Sequence, residues 1–171
     1  MGGFAITKKS TQQDLKITRV FDAPRSLVWK AWTDMEHAKH WAGPDGFEAR
    51  ALEHDVRPGG KWRGCLHRIE PERGCGPSAG RDLWQSGQYL EVVEPERLVF
   101  TFRWENRSDI PTPETVITIL FEEHEGKTTM HFHQSLLANA ENRDGHSFGW
   151  NSSFDRLEKL LRQEQKRGGH E

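Results

Sequence analysis

The sequence predicts an α+β chain: a curved antiparallel sheet of six to seven strands wrapped around a long C-terminal helix, with two short helices after the first strand. Three observations predict it. The apolar period is close to two from Gly46 to Leu137, the period of strands with one buried face. It becomes helical again at the end, where Trp150, Phe154, Leu157 and Leu161 form a stripe at i, i+4, i+7 and i+11. Six or seven meandering strands cannot bury one face alone, and that stripe lies on the only long element able to cover it. A sheet gripping a helix in this way leaves room for a cavity between the two.

Leu15–Asp22 is rich in β-branched and aromatic residues and reads as the first strand. Pro24 suits a helix's first turn, where its missing N–H is not needed. Val28, Ala31, Trp32 and Met35 then share one helical face, and Thr33-Asp34 offers a fresh cap for a second short helix carrying Met35, Ala38 and Trp41. Gly43-Pro44 ends that helix. Phe47–His54 is a strand, followed by the turn Arg57-Pro58-Gly59-Gly60 and the strand Lys61–Ile69, with Trp62, Gly64 and Leu66 on one face. Pro71–Gly80 is a loop. Leu83–Val93 and Arg97–Glu105 pair around Glu94-Pro95-Glu96, and Leu98, Phe100, Phe102 and Trp104 share a face opposite Val99, Thr101 and Arg103. After a loop over Asn106–Pro113, Thr115–Glu122 and Thr128–Leu136 form a hairpin around Glu125-Gly126. Met130 and Phe132 face inward there, and His131 and His133 face solvent. The last helix runs from a cap at Asp144 to about Arg167, with Asp155–Lys159 and Glu158–Arg162 as i,i+4 ion pairs, and the tail Gly168–Glu171 frays.

A chain of 171 residues is expected to be a single domain, 1–171. Lys and Arg number 24 against 26 Asp and Glu, which argues against a nucleic-acid partner. No apolar run approaches the ~18 residues needed to insert in a membrane. Met1–Leu15 lacks the apolar core of a secretory signal. Cys65 and Cys75 show no CxxC or zinc spacing and are expected to be reduced thiols in a cytoplasm. The mean hydropathy is −0.83. Yet seven Trp and nine Phe are present, so the core is built from rings, which also line small-molecule pockets.

The matching pieces of a known family stand in order along the chain: FDAPRSLVWKAWTD (Phe21–Asp34), HWAGPDGF (His40–Phe47), RPGGKW (Arg57–Trp62), YLEVVEPERLVFTFRW (Tyr89–Trp104) and DGHSFGWNSSFDRLEKLL (Asp144–Leu161). On these, residues of about 14–163 resemble the START-like (SRPBCC, helix-grip) superfamily, and within it the heat-shock protein 90 ATPase activator C-terminal-like family. The resemblance implies the helix-grip fold. It leaves the function open, because lipid carriers, ligand receptors, cyclases and chaperone partners share this fold.

No nucleophile motif stands out: there is no GxSxG, and the glycines of residues 74–80 lack the GK[ST] of a phosphate loop. No catalytic residue, metal or cofactor is assigned. His131/His133 and His37/His40 have ligand spacing, but neither pair has a third ligand nearby. Counting by twos from Phe132 turns Gln134 inward, either to orient a ligand or to sit at a wet strand end. His146, four residues before Trp150, marks the pocket mouth or an exposed first turn. Gly149 costs the helix ~1 kcal/mol relative to Ala. Close packing is the expected reason, and space for a ligand is the other. The candidate ligand-binding residues are Trp41, Phe47, Trp62, Phe102, Trp104, Gln134, His146, Trp150 and Phe154. The leading expectation is a non-enzymatic, cytoplasmic binder of a small hydrophobic or aromatic molecule. The alternatives are a chaperone-associated stress-response protein acting through a surface, and a cyclase- or hydrolase-type enzyme using Gln134 or His146.

Overall fold

The computed structural model describes residues 12–69, 82–105 and 112–168. The expected loop Pro71–Gly80, Cys75, most of the expected loop Asn106–Pro113, residues 1–11 and residues 169–171 lie outside the described residues. Among the described residues ten elements follow in order: β1 (Gln13–Phe21), α1 (Arg25–Thr33), α2 (Met35–Ala38), β2 (Phe47–His54), β3 (Lys61–Arg68), β4 (Asp82–Val93), β5 (Arg97–Trp104), β6 (Thr115–His124), β7 (Lys127–Leu137) and α3 (Ala140–Gly168). The strands form one antiparallel sheet in the order β1-β7-β6-β5-β4-β3-β2.

Local chemistry sets the boundaries. Pro24 opens α1, and its carbonyl accepts from the Leu27 and Val28 amides at 3.0 and 3.2 Å. Asp34 is extended and caps α2, its carboxylate accepting from the Glu36 amide at 2.9 Å. That break turns Met35 outward: Val28, Trp29, Ala31 and Trp32 are buried, whereas Met35 is 39% exposed, against the shared face expected for it. Gly43 holds φ +91°, and a Cβ there would meet Leu66 Cδ2 at 2.8 Å. Only glycine lets this loop cross over β3.

The inner face of β5–β7 and the stripe of α3 make the core. Ile117, Ile119, Met130, Phe132, Phe154 and Leu157 are at most 2% exposed. Trp29 meets Phe121 edge-on at 5.9 Å, tying α1 to β6. The outward histidines of β7 are half-buried rather than free in solvent, because carboxylates cover them: His131 lies 3.3 Å from Glu122 and His133 3.3 Å from Asp14.

The start of α3 departs from the sequence reading. The cap is Asn139, not Asp144: its side chain accepts from the Asn142 amide at 2.8 Å, and the Asn142 side chain accepts from the Ala138 amide at 3.1 Å. These two bonds start the helix at Ala140 and put Asp144 inside it. Glu158 and Arg162 pair at 2.9 Å as expected. Asp155 instead pairs with Arg19 of β1 at 2.8 Å, because the edge strand offers a guanidinium that also donates to Asn151. Leu136 takes φ 69° and turns out, leaving Leu137 fully buried at the strand's end.

Candidate functional site

The backbone of α3 runs close to β1, β7 and α1 but stands off from β2–β5. The gap under its N-terminal half is a cavity of about 910 Å³. Leu52, Leu66, Leu83, Tyr89 and Phe100 contribute to its sheet wall, while Gly145, Gly149 and Ser153 line the helix wall. Trp32 closes it on the α1 side, and Phe148, 78% exposed, stands among its lining residues.

The loop between α2 and β2 is clamped to α3. The Arg156 guanidinium donates to the carbonyls of Ala42, Gly43, Pro44 and Phe47 at 2.7–3.4 Å, and the Ser152 hydroxyl accepts from the Asp45 amide at 2.8 Å. Burial lowers the Arg156 pKa, and Asp45 works against that shift.

Of the candidate residues, Trp41, Phe47, Trp62, Phe102, Trp104, His146 and Trp150 line this cavity. The rings hold one another: Trp62 lies 5.7 Å from Phe102, Phe102 5.4 Å edge-on from Trp104, and Trp32 4.7 Å from Trp41. His146 is half-buried, with its ring 5.6 Å from Phe102 and its Nε2 accepting from Trp104 Nε1 at 3.4 Å. It lies in the second turn because α3 starts at Ala140, so it is not the exposed first-turn residue.

Gln134 and Phe154 do not line the cavity, and both are fully buried. Gln134 is neither at a wet rim nor aimed at a ligand. Trp150 Nε1 donates to its Oε1 at 2.9 Å, its Nε2 donates to Thr115 Oγ1 at 2.9 Å, and the Thr115 hydroxyl donates to the Phe102 carbonyl at 2.9 Å. This closed chain fixes the Trp150 ring from behind and leaves Gln134 no capacity for acid–base work. Gln134→Leu leaves the Trp150 N–H without its acceptor and takes a donor from the Thr115 hydroxyl, so it is expected to destabilise the fold by about 1–3 kcal/mol. Urea unfolding measures this, and a loss below about 0.5 kcal/mol would contradict the chain.

Gly149, beside Trp150, and Gly64, on the strand of Trp62, differ. A Cβ on Gly149 would meet nothing within 4 Å, so open cavity space, not close packing, surrounds it. A Cβ on Gly64 would meet Leu52 Cδ1 at 3.3 Å, so that volume is already filled. A third glycine matters more than either. A Cβ on Gly87 would collide with the Thr101 carbonyl, the group that accepts from Trp62 Nε1 at 3.0 Å.

Trp32, His54 and Tyr89 also line the cavity, beyond the candidate residues expected from sequence. Counting by twos from Leu52 finds His54 on the same face of β2. The helical stripe finds Trp32 buried, though not what its N–H meets. The Tyr89 hydroxyl and His54 Nδ1 lie 3.1 Å apart, and burial pushes the phenol pKa up. Burial also lowers the His54 pKa, against the attraction of Asp34. The unfolded ring takes up its proton near pH ~6.5 and the folded ring only below that. The stability it contributes is therefore complete above pH ~6.5 and is lost as the pH falls through the lowered folded value. Melting curves from pH 7 to 5 are expected to fall less steeply in His54→Phe than in the parent, and equal slopes would contradict this.

Among the described residues no group of three or more His, Cys, Asp or Glu is placed to hold a metal ion, and no helix is long and apolar enough to cross a membrane. Burial raises the Cys65 pKa.

Solved structures share this fold. Protein CV1439 from Chromobacterium violaceum is 26% identical with a TM-score of 0.76, over 86% of this chain and 96% of that one. Protein NE0264 from Nitrosomonas europaea is 26% identical with a TM-score of 0.71, over 90% and 96%. The AHSA1 protein from Silicibacter pomeroyi is 25% identical with a TM-score of 0.74, over 89% and 99%. No curated protein matches the chain. The model of one family covers residues 22–162, almost the whole grip from the end of β1 to the last turns of α3. By that match the chain belongs to the family described as Activator of Hsp90 ATPase homolog 1-like protein.

Proposed function

We propose that this protein is a non-enzymatic binder of a small apolar or aromatic molecule, held between α3 and the sheet. One observation carries the reading: the N-terminal half of α3 stands off from β2–β5 and leaves about 910 Å³ lined by five indole and four phenyl rings among leucines and a smaller polar share. Ligand pockets run to roughly 300–1,000 Å³ and are mostly apolar with a few placed polar groups. Unfilled apolar volume favours an apolar guest over water. In this reading residues 1–171 act as one START-like unit in the cytoplasm, without a metal or cofactor.

Family membership supports a ligand-binding or Hsp90 ATPase-activator-like role in general. The cavity favours the first, and the family's description alone favours the second. Titration with fluorene, an uncharged three-ring hydrocarbon, followed by tryptophan emission, tests the reading. Saturable quenching is expected. No response to fluorene or to a fatty acid, together with a stimulated chaperone ATPase, would move the function to the surface.

A further inference from the structure

We propose that the cavity selects a neutral aromatic ligand bearing a carbonyl oxygen, and that the indole N–H of Trp32 is the donor that receives it. This rests on the cavity reading above and names the ligand chemistry within it.

Five tryptophans line the cavity, and four have their N–H groups tied to the protein. Trp41 donates to the Ala31 carbonyl at 2.9 Å, Trp62 to the Thr101 carbonyl at 3.0 Å, Trp104 to His146 at 3.4 Å and Trp150 to Gln134 at 2.9 Å. Trp32 is different. It is 8% exposed, its Nε1 is enclosed, and that atom has no hydrogen-bond partner among the described residues. Its ring cannot turn away to find one, because Trp41, Trp150 and Phe154 crowd it at 4.7, 6.2 and 6.0 Å. Buried donors are nearly always paired, and one left enclosed and unpaired behind a cavity wall gains its acceptor when a guest displaces the side chains that cover it.

His54 adds a second donor to the same cavity. Tyr89 offers its hydroxyl to Nδ1 at 3.1 Å and has no other acceptor for it among the described residues. The proton of a neutral ring therefore sits on Nε2, which is also enclosed without a partner. Two N–H groups without acceptors fit a ligand rich in acceptors.

The ligand's charge follows from the surroundings. Burial keeps the His54 ring neutral, and Asp34 lies near enough to act on it. Asp45 and Glu141 also line the cavity. Arg68 lines it too, at the other end of the β2–β3 pair from His54, with its guanidinium over the Phe47 ring at 5.4 Å. A carboxylate at Trp32 would lose its hydration with no cation beside it, whereas a ketone or quinone oxygen would not carry that cost.

The test compares 9-fluorenone with fluorene, the same three-ring skeleton with and without the carbonyl, in the parent and in Trp32→Phe. The parent is expected to bind fluorenone about tenfold more tightly than fluorene. Trp32→Phe is expected to lose that preference while still binding fluorene. The infrared carbonyl stretch of fluorenone bound to the parent is expected at lower wavenumber than in an apolar solvent, and this holds the test should the variant not fold. Equal binding of the two probes by the parent, an unshifted carbonyl, or a preference that survives in Trp32→Phe overturns this inference and leaves the cavity reading standing. Tighter binding of 9-fluorenone-4-carboxylate than of the ketone overturns the neutral assignment. Binding of neither probe overturns the cavity reading, and this inference falls with it.

Discussion

Replacing Gly145 and Gly149 together with leucine is expected to weaken binding of fluorene by about tenfold or more while leaving the fold as stable as before or more so. The two positions are four residues apart on α3 and both line the cavity. A Cβ on either meets nothing within 4 Å, so two isobutyl groups enter open volume and collide with no backbone. Helix propensity works in the same direction: each Gly→Leu change favours the helix by roughly 0.5–1 kcal/mol. Stability and binding are therefore expected to move apart, which separates a filled cavity from a damaged fold. Thermal melts and fluorescence titrations on the same samples measure both. Undiminished binding with a normal melt would place the ligand elsewhere and defeat the proposed function.

Much of this site was legible in the sequence, for reasons that also mark where legibility stops. Period-two counting put Trp62, Phe102 and Trp104 on the inner face because strand side chains alternate strictly. The stripe from Trp150 to Leu161 was equally plain, because α3 is long enough for its period to show. Counting by twos turns Gln134 inward, where it is fully buried, but its role depends on Trp150 and Thr115, 16 and 19 residues away, and no local pattern couples them. The start of α3 escapes local reading because Asp144 is a good cap in isolation, while Asn139 caps the Asn142 amide and Asn142 in turn takes the Ala138 amide. Local cost favours close packing at Gly149 over space for a ligand. Only the path of α3 across the sheet shows that the space beside it is open. The unpartnered N–H of Trp32 was beyond reach for the same reason: an orphaned donor is a property of every neighbour at once.

Phe154→Ala is expected to cost about 3–5 kcal/mol, the largest stability loss among the changes considered. Phe154 is fully buried one turn beyond Trp150 and joins the rings of both walls, with Phe132 at 5.3 Å, Trp150 at 5.7 Å, Trp32 at 6.0 Å and Trp41 at 6.3 Å. It is where the stripe of α3 meets β7 and α1, and beyond it the helix is held while before it the cavity opens. A domain whose whole stability is about 5–15 kcal/mol loses a large share of it, and the melting midpoint is expected to fall by about 10 °C or more. The polar latches between α3 and the rest do not compensate. Arg19–Asp155 is 2.8 Å long but its carboxylate is 64% exposed, and such pairs contribute about 0–1 kcal/mol. Asp155→Ala is the comparison that decides between the two kinds of attachment. If it costs as much as Phe154→Ala in urea unfolding, ion pairing rather than ring packing holds α3 in the grip. If Phe154→Ala costs several times more, the rings hold the helix, and the same packed rings fix the inner end of the cavity that the opened half of the helix leaves free.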